Sequence, residues 1–212
     1  IYINNHRDSN LFKFKNLRLG GSAELYESFG TKFGDLSAIL IENLPFWVER
    51  TTTPSREVSL MSEWETKLKA IVSEVKNKDV GSLTGVPSWM MVLLQRVLKD
   101  TGKKSISEVW PNLEVFFHGG ISFVPYREQY KQLIGRDIRY YEIYNASEGF
   151  FGIQDRFDSD EMLLMLDYGI FYEFIPMDTF GTENAKAVSL ENVELGKNYA
   201  VVITTNGGLW RY

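Results

Sequence analysis

Cysteine is absent from the 212 residues, so the chain has neither a disulfide framework nor a thiolate to bind a metal or attack a substrate. Histidine is scarce. His6 and His118 are the only two, too few for a histidine-built zinc site. No apolar run approaches the roughly 18 residues that a membrane-spanning helix requires, and no secretory signal pattern opens the chain. A cytoplasmic protein without a membrane partner is therefore expected. Positive charge is short as well: 23 lysines and arginines face 28 acids, for a formal net charge of -5. That balance argues against nucleic acid as a partner. Familiar chemical signatures are missing too. No G-x-G-x-x-G follows a strand, no G-x-x-x-x-G-K-[ST] loop occurs, and no G-x-S-x-G elbow offers a nucleophilic serine.

What is present suits a large buried core, since 44% of the residues are hydrophobic and 14% aromatic. The opening, Ile1 to Ser9, is polar and carries no pattern. Leu11 to Lys15 alternates, as a short strand would, ahead of Gly20-Gly21-Ser22. Leu36, Ile39, Leu40 and Leu44 then recur at helical spacing until Pro45 stops them. Thr51-Thr52-Thr53-Pro54 is expected to be a loop, and it lacks the glycines of a phosphate-binding turn. Ser62 with Glu65 forms a capping box ahead of an amphipathic helix whose apolar face is Trp64, Leu68, Ile71, Val72 and Val75.

Beyond this helix, strand and helix patterns alternate. Val80 to Leu83, Leu113 to Phe117 and Ile138 to Ile143 predict three strands. Between them, a helix from Trp89 to about Lys99 ends at Gly102, and a second from Tyr126 to Ile134 ends at Gly135. This alternation predicts a parallel sheet with right-handed crossovers. The loops after the three strands should then share one edge: Thr84-Gly85-Val86-Pro87, His118-Gly119-Gly120 and Tyr144 to Gly149. Ligands of open α/β sheets bind at that edge. Past Gly152 the pattern becomes antiparallel β. Met162 to Tyr168 and Ile170 to Ile175 read as a buried hairpin around Gly169. Tyr199 to Thr205 follows as a strand, and Asn206-Gly207-Gly208 turns into Leu209 to Tyr212.

Tyr144-Asn145-Ala146-Ser147-Glu148-Gly149 interrupts two apolar stretches with small polar residues and one acid. Two readings stand. It is an ordinary polar turn, or it is a place where a ligand approaches the backbone, a hydroxyl meets a phosphate and a carboxylate holds a hard cation. His118 likewise caps a strand or touches a ligand. Trp89 and Met90 read as core rather than as pocket lining, because their helix is apolar nearly all round.

Tyr144 to Glu148 resembles the tyrosine-glycine-x-threonine-glutamate motif of acyl-adenylate-forming enzymes, the superfamily of acyl-CoA synthetases, adenylation domains and firefly luciferase. The closer similarity is to the auxin-responsive-promoter family of acyl-acid amido synthetases. Gly85-Val86-Pro87-Ser88-Trp89, Leu113 to Ser122, Tyr144 to Gly149, Phe171 to Pro176 and Gly208-Leu209-Trp210-Arg211-Tyr212 resemble that family in that order, from about Gly20 to the end. The resemblance implies a two-step reaction. ATP and a small carboxylic acid give an acyl-adenylate and pyrophosphate; an amino acid's amine then gives the amide and AMP.

By the same resemblance, Glu148 and Ser147 are the catalytic positions: Glu148 matches the glutamate that serves Mg2+, and Ser147 the hydroxyl residue near the α-phosphate. Tyr144 and Ala146 line the adenine and acyl pockets, Asn145 and Gly149 complete the nucleotide-binding motif, and His118-Gly119-Gly120 matches a glycine pair that edges the nucleotide. Phe171 matches an aromatic near the adenine. Asn145 stands where the superfamily has glycine, and Ser147 where it usually has threonine.

The resemblance also implies a partial large N-terminal domain over 1–212, with an α/β part at 20–152 and a mostly antiparallel part at 153–212. The family's phosphate loop, ribose-binding aspartate and small C-terminal domain are not matched, so the chain alone is expected to be inactive. A non-catalytic domain that binds a small acid or a nucleotide is the alternative.

Overall fold

The structure, a computed structural model, describes residues 1–20, 25–156 and 159–212, so Gly21 and Ser22 of the expected glycine turn lie outside the described residues. The chain divides into two units, Ile1–Tyr144 with Ile153–Leu163, and Asn145–Gly152 with Leu164–Tyr212. In order, the elements up to the break are α1 (Tyr2–Asn5), β1 (Lys15–Arg18), β2 (Leu25–Ser28), β3 (Thr31–Gly34), α2 (Leu36–Glu42), α3 (Phe46–Thr51), β4 (Thr52–Thr53) and α4 (Arg56–Ser59). Then come α5 (Trp64–Val75), β5 (Val80–Gly85), α6 (Pro87–Thr101), α7 (Ile106–Val109), β6 (Val115–Gly119), α8 (Arg127–Ile134) and β7 (Arg139–Ala146). The remaining strands are β8 (Gly149–Ile153), β9 (Leu163–Leu164), β10 (Ile170–Pro176), β11 (Val188–Ser189) and β12 (Tyr199–Thr205).

In the first unit the strands pair in the order β4-β1-β5-β6-β7, each pair parallel. Register places Leu17 opposite Leu83, Leu83 opposite Phe116, and Phe116 opposite Tyr140. Side chains alternate between faces, so these four form one row. Against the row pack Leu68, Ile71 and Val75 of α5, Met90, Leu93 and Leu94 of α6, and Trp110, Tyr130 and Ile134. Each large side chain so buried contributes about 1.5–3 kcal/mol. Two buried polar groups are satisfied on the way. The Trp110 indole N–H donates to the Val75 carbonyl at 3.2 Å, and the Tyr130 hydroxyl donates to the Pro87 carbonyl at 2.7 Å. The other face carries Val115 and Tyr141, which pack with Tyr2 of α1. Coverage of both faces is the rule for parallel sheets.

The second unit is antiparallel. β10 lies between β11 and β12, with Ile170 opposite Thr205 and Pro176 opposite Tyr199. Ile170, Tyr172, Phe174 and Ile203 form its core together with Phe151. The expected order, parallel α/β first and antiparallel β after it, is the order found.

Several local expectations are corrected. The first strand begins at Lys15 rather than Leu11, because only from there does the chain pair with β5. Thr52 and Thr53 are a strand and not a loop, since they pair with Asn16 and Leu17. α5 is capped by Glu63, whose carboxylate accepts from the Glu65 and Thr66 amides, instead of by Ser62. The expected hairpin around Gly169 does not form. β12 supplies seven partners for the seven residues of β10, which outcompetes the stretch before Gly169. Met162, Leu163 and Leu166 are correspondingly exposed. Met90 is core, as read, whereas Trp89 is half exposed beside Trp64.

Gly102 and Gly135 end α6 and α8 in left-handed conformation, at φ 68° and 79°. A Cβ on Gly135 would stand 2.6 Å from the Ser105 Cβ, while one on Gly102 would meet nothing within 4 Å. Gly102→Ala is therefore expected to lose about 1–2 kcal/mol of stability from the backbone alone. Gly135→Ala should lose clearly more in the same urea titration.

Candidate functional site

The ends of β5, β6 and β7 stand side by side in the first unit. Gly85 is opposite His118, His118 is opposite Glu142, and Gly119 is opposite Ile143. A Cβ on Gly120 would touch Val86 at 3.4 Å, so the turns that follow β5 and β6 lie against each other. Tyr144 follows Ile143 at the same end, with its ring 54% exposed. The strand ends thus gather Gly85, Gly119, Gly120 and Tyr144.

His118 belongs to the same strand end but its ring points inward. It is 4% exposed and stacks on Phe123 with ring centres 4.2 Å apart. Burial, with the positive Arg127 adding to it, pushes its pKa down to about 4. The ring is therefore neutral at physiological pH, and its Nδ1 is buried without a hydrogen-bond partner. Only the backbone of Gly119 and Gly120 remains to edge a ligand there.

The second unit carries the rest of the motif. β7 ends at Ala146, and Ser147 and Glu148 form the turn into β8. Asn145 and Ser147 are exposed and Glu148 is half-buried. Ala146 packs partly against the Phe151 and Ile170 cluster. Gly149 is held to glycine by contact, because a Cβ there would fall 2.7 Å from the Ile170 Cδ1. The neighbouring Glu148 carboxylate lifts Tyr212 above the usual phenol range. Phe171 stands on the face of β10 opposite Ile170, 62% exposed, and so away from the Gly149 contact. No cluster of three or more metal-ligating side chains occurs among the described residues. A single accessible carboxylate still suits Mg2+, which takes one or two carboxylates and completes its shell with water and substrate phosphates.

A feature absent from the sequence reading is a cleft of about 720 Å³ in the first unit. Its floor is His118, Phe123 and Tyr140, and α8 contributes Arg127 and Lys131. Glu142, Gln154 and Asp160 also line it. The Glu142 amide donates to the Gln154 side-chain oxygen at 3.0 Å, and the Gln154 amide nitrogen donates to the Arg156 carbonyl at 3.1 Å. Arg127 lies over the Phe123 ring at 5.9 Å and 3.8 Å from Asp160. Burial lifts Glu142 above the usual carboxylate range, with Asp160 adding to it and Arg127 opposing. Tyr140 is pushed up to about 12, by burial first and the Asp137 charge second. Its hydroxyl, like the His118 Nδ1, is buried without a partner. Arg127 and Lys131 are one helical turn apart in the sequence, which is the one signal that could have drawn attention to this wall.

The fold defines a class: α/β proteins in which a mostly parallel sheet is followed by antiparallel strands. A solved structure of GH3.15 acyl acid amido synthetase matches with a TM-score of 0.73 over 98% of this chain and 46% of that one, at 12% identity. AtGH3.15 acyl acid amido synthetase in complex with 2,4-DB matches at 0.69, over 96% of this chain and 44% of that one, at 14% identity. Sequence resolves the class further. Residues 24–138 match the GH3 family N-terminal domain and residues 163–212 the GH3 family central domain. The chain belongs to the GH3 family, as its ordered motifs implied. Indole-3-acetic acid-amido synthetase GH3.3 of Arabidopsis thaliana is 33% identical over 114 residues, covering 50% of this chain and 19% of that protein. Indole-3-acetic acid-amido synthetase GH3.8 of Oryza sativa subsp. indica is 36% identical over 118 residues, again 50% of this chain and 19% of that protein. The chain spans about a fifth of the length of these curated relatives.

Two outcomes test the buried polar groups. Tyr130→Phe should cost about 1 kcal/mol, because it removes a buried hydrogen bond to the Pro87 carbonyl, while Tyr140→Phe should be neutral or stabilising in the same urea titration. For His118, the folded pKa of about 4 lies below the unfolded value of about 6.5. Its contribution is thus present above pH 6.5 and lost as pH falls towards 4. Over that window the wild type should lose about 3 kcal/mol more than His118→Gln, read from denaturation at each pH.

Proposed function

We propose that this chain is part of an ATP-dependent acyl-acid amido synthetase. The enzyme adenylates a small carboxylic acid and transfers the acyl group to the amine of an amino acid. One observation carries the reading. In a chain of the GH3 family, the motif serine and glutamate sit at an accessible turn directly after a strand of the parallel sheet.

Each residue then has a role that its surroundings support. Ser147 is exposed, so its hydroxyl is free to donate to an α-phosphate oxygen. Glu148 stands beside Tyr212. A carboxylate has about four lone-pair sites, which leaves several for a hard cation. Mg2+ bound there with the triphosphate would supply neutralisation of the charge that builds on the phosphates. By the family motif, Gly119 and Gly120 are nucleotide-edging positions of the first unit. Tyr144 and Ala146 match positions that line the adenine and acyl pockets, Asn145 and Gly149 match nucleotide-motif positions, and Phe171 matches an aromatic position near the adenine. ATP and free amino acids are cytoplasmic metabolites, and we place the protein there. No helix among the described residues is long and apolar enough to cross a membrane.

The test is acid-dependent exchange of labelled pyrophosphate into ATP by the intact gene product. Exchange is expected with at least one small carboxylic acid. Glu148→Gln should slow it on the order of 100-fold, the usual loss when one charge-stabilising group is removed. Wild-type exchange by the variant removes Glu148 from the mechanism. Absence of exchange with every acid leaves a non-catalytic acid-binding protein in its place.

A further inference from the structure

We propose that the cleft floored by His118, Phe123 and Tyr140 is a binding site for a free α-amino acid in its zwitterionic form. The cleft combines three features. Its volume of about 720 Å³ lies within the range of small-molecule sites. Its floor holds two buried polar atoms without partners, the His118 Nδ1 and the Tyr140 hydroxyl, and His118 is 4% exposed. Its walls carry both signs of charge, and the charges are loosely paired.

The pairing identifies the ligand. Arg127 stands 3.8 Å from Asp160, and Lys131 stands 3.5 Å from Asp137; both distances exceed hydrogen-bond contact. The Arg127 guanidinium lies over the Phe123 ring, and its fork of N–H donors can take a bidentate carboxylate in place of the distant Asp160. Glu142, half-buried and fixed through its backbone to Gln154, lines the same cleft, as does Asp160. A zwitterion satisfies both signs at once, its carboxylate on Arg127 and its ammonium between Glu142 and Asp160. A phosphate would face four lining carboxylates, those of Glu128, Asp137, Glu142 and Asp160. A simple amine would leave Arg127 without a close partner. The remaining space admits an amino acid side chain over the aromatic floor.

Such a site binds but does not react. An ammonium held between two carboxylates stays protonated and is not a nucleophile, so aminolysis takes place elsewhere. The amino acid in the cleft is thus an effector of the class the enzyme consumes, and this assignment of class rests on the proposed function. Binding itself does not, because it needs neither ATP nor an acyl group.

The experiment is calorimetric titration of the intact gene product, without nucleotide, against each of the common L-amino acids, with acetate and ethylamine as single-charge controls. Saturable binding of at least one amino acid is expected, with neither control binding. Arg127→Met and Glu142→Gln should each weaken it at least 10-fold, and Arg127→Lys should restore part of the loss. Arg127 is a surface residue outside the catalytic motif, so circular dichroism of its variants should match the wild type. Pyrophosphate exchange measured on the same variants without amino acid should stay at the wild-type rate, which separates this site from the proposed adenylation. The inference is overturned if no amino acid binds saturably, if the controls bind equally well, or if the variants bind as the wild type does.

Discussion

Parallel hydrogen bonding of β5, β6 and β7 in one register is the constraint from which the chemistry of the first unit follows. Ser82 to Gly85 pair with Val115 to His118, and Val115 to Gly119 pair with Arg139 to Ile143. That register brings strand ends that lie some thirty residues apart in the chain to one edge. It also decides faces. Because side chains alternate, Phe116 and His118 must point to the side of α6 and α8, while Val115 and Phe117 point to the other. A slip of one residue would turn Phe116 to the face of Tyr2 and Phe117 to the face of α6 and α8, and the row of Leu83, Phe116 and Tyr140 would be lost.

The same register explains why His118 is a floor and not a rim. A residue two positions after a fully buried phenylalanine, on the same face, is drawn into the same layer, where it meets Phe123. An imidazole in that layer stays neutral, since burial opposes its charge and Arg127 opposes it further. The unpaired atoms of His118 and Tyr140 are unfavourable for folding, at roughly 1–3 kcal/mol for a buried group left unsatisfied. Both line one cleft whose walls hold opposite charges. In the second unit the polar turn is set by packing instead. Gly149 closes on Ile170 and Tyr212 lies beside Glu148, so the short motif is packed by residues far along the chain.

Much of this was legible in the residues themselves. The helices α5, α6 and α8 announce themselves by apolar spacing, and Gly102 and Gly135 mark two of their ends because left-handed backbone favours a residue without a Cβ. Three of the five strands of the parallel sheet, β5, β6 and β7, are β-branched and aromatic runs with glycines after them. The ordered family motifs, Tyr144 to Gly149 among them, are also local, and they were enough to point to the family. Less local features were missed. Thr52 and Thr53 become a strand only through Asn16 and Leu17, which no pattern within the tetrad reveals. Met162 to Leu166 is apolar enough for a core strand, yet β10 has a longer partner in β12. The helix cap passes from Ser62 to Glu63, a choice between neighbouring side chains that depends on where the backbone leaves the preceding turn.

By itself, then, the sequence determined the helices α5, α6 and α8, the strands β5, β6, β7, β10 and β12, the α/β-then-β order, the glycine-marked ends and the family motif with its serine and glutamate. Each of these is written within a dozen neighbouring residues, where backbone preference and hydrophobic period act. Only the tertiary structure decided that His118 is buried and neutral, that Tyr212 comes to lie beside Glu148, and that Arg127, Glu142 and Gln154 line one cleft. Those relations depend on strand register and on the approach of residues distant in the chain. Burial and electrostatic pairing are properties of the assembled surroundings, and no single stretch contains them.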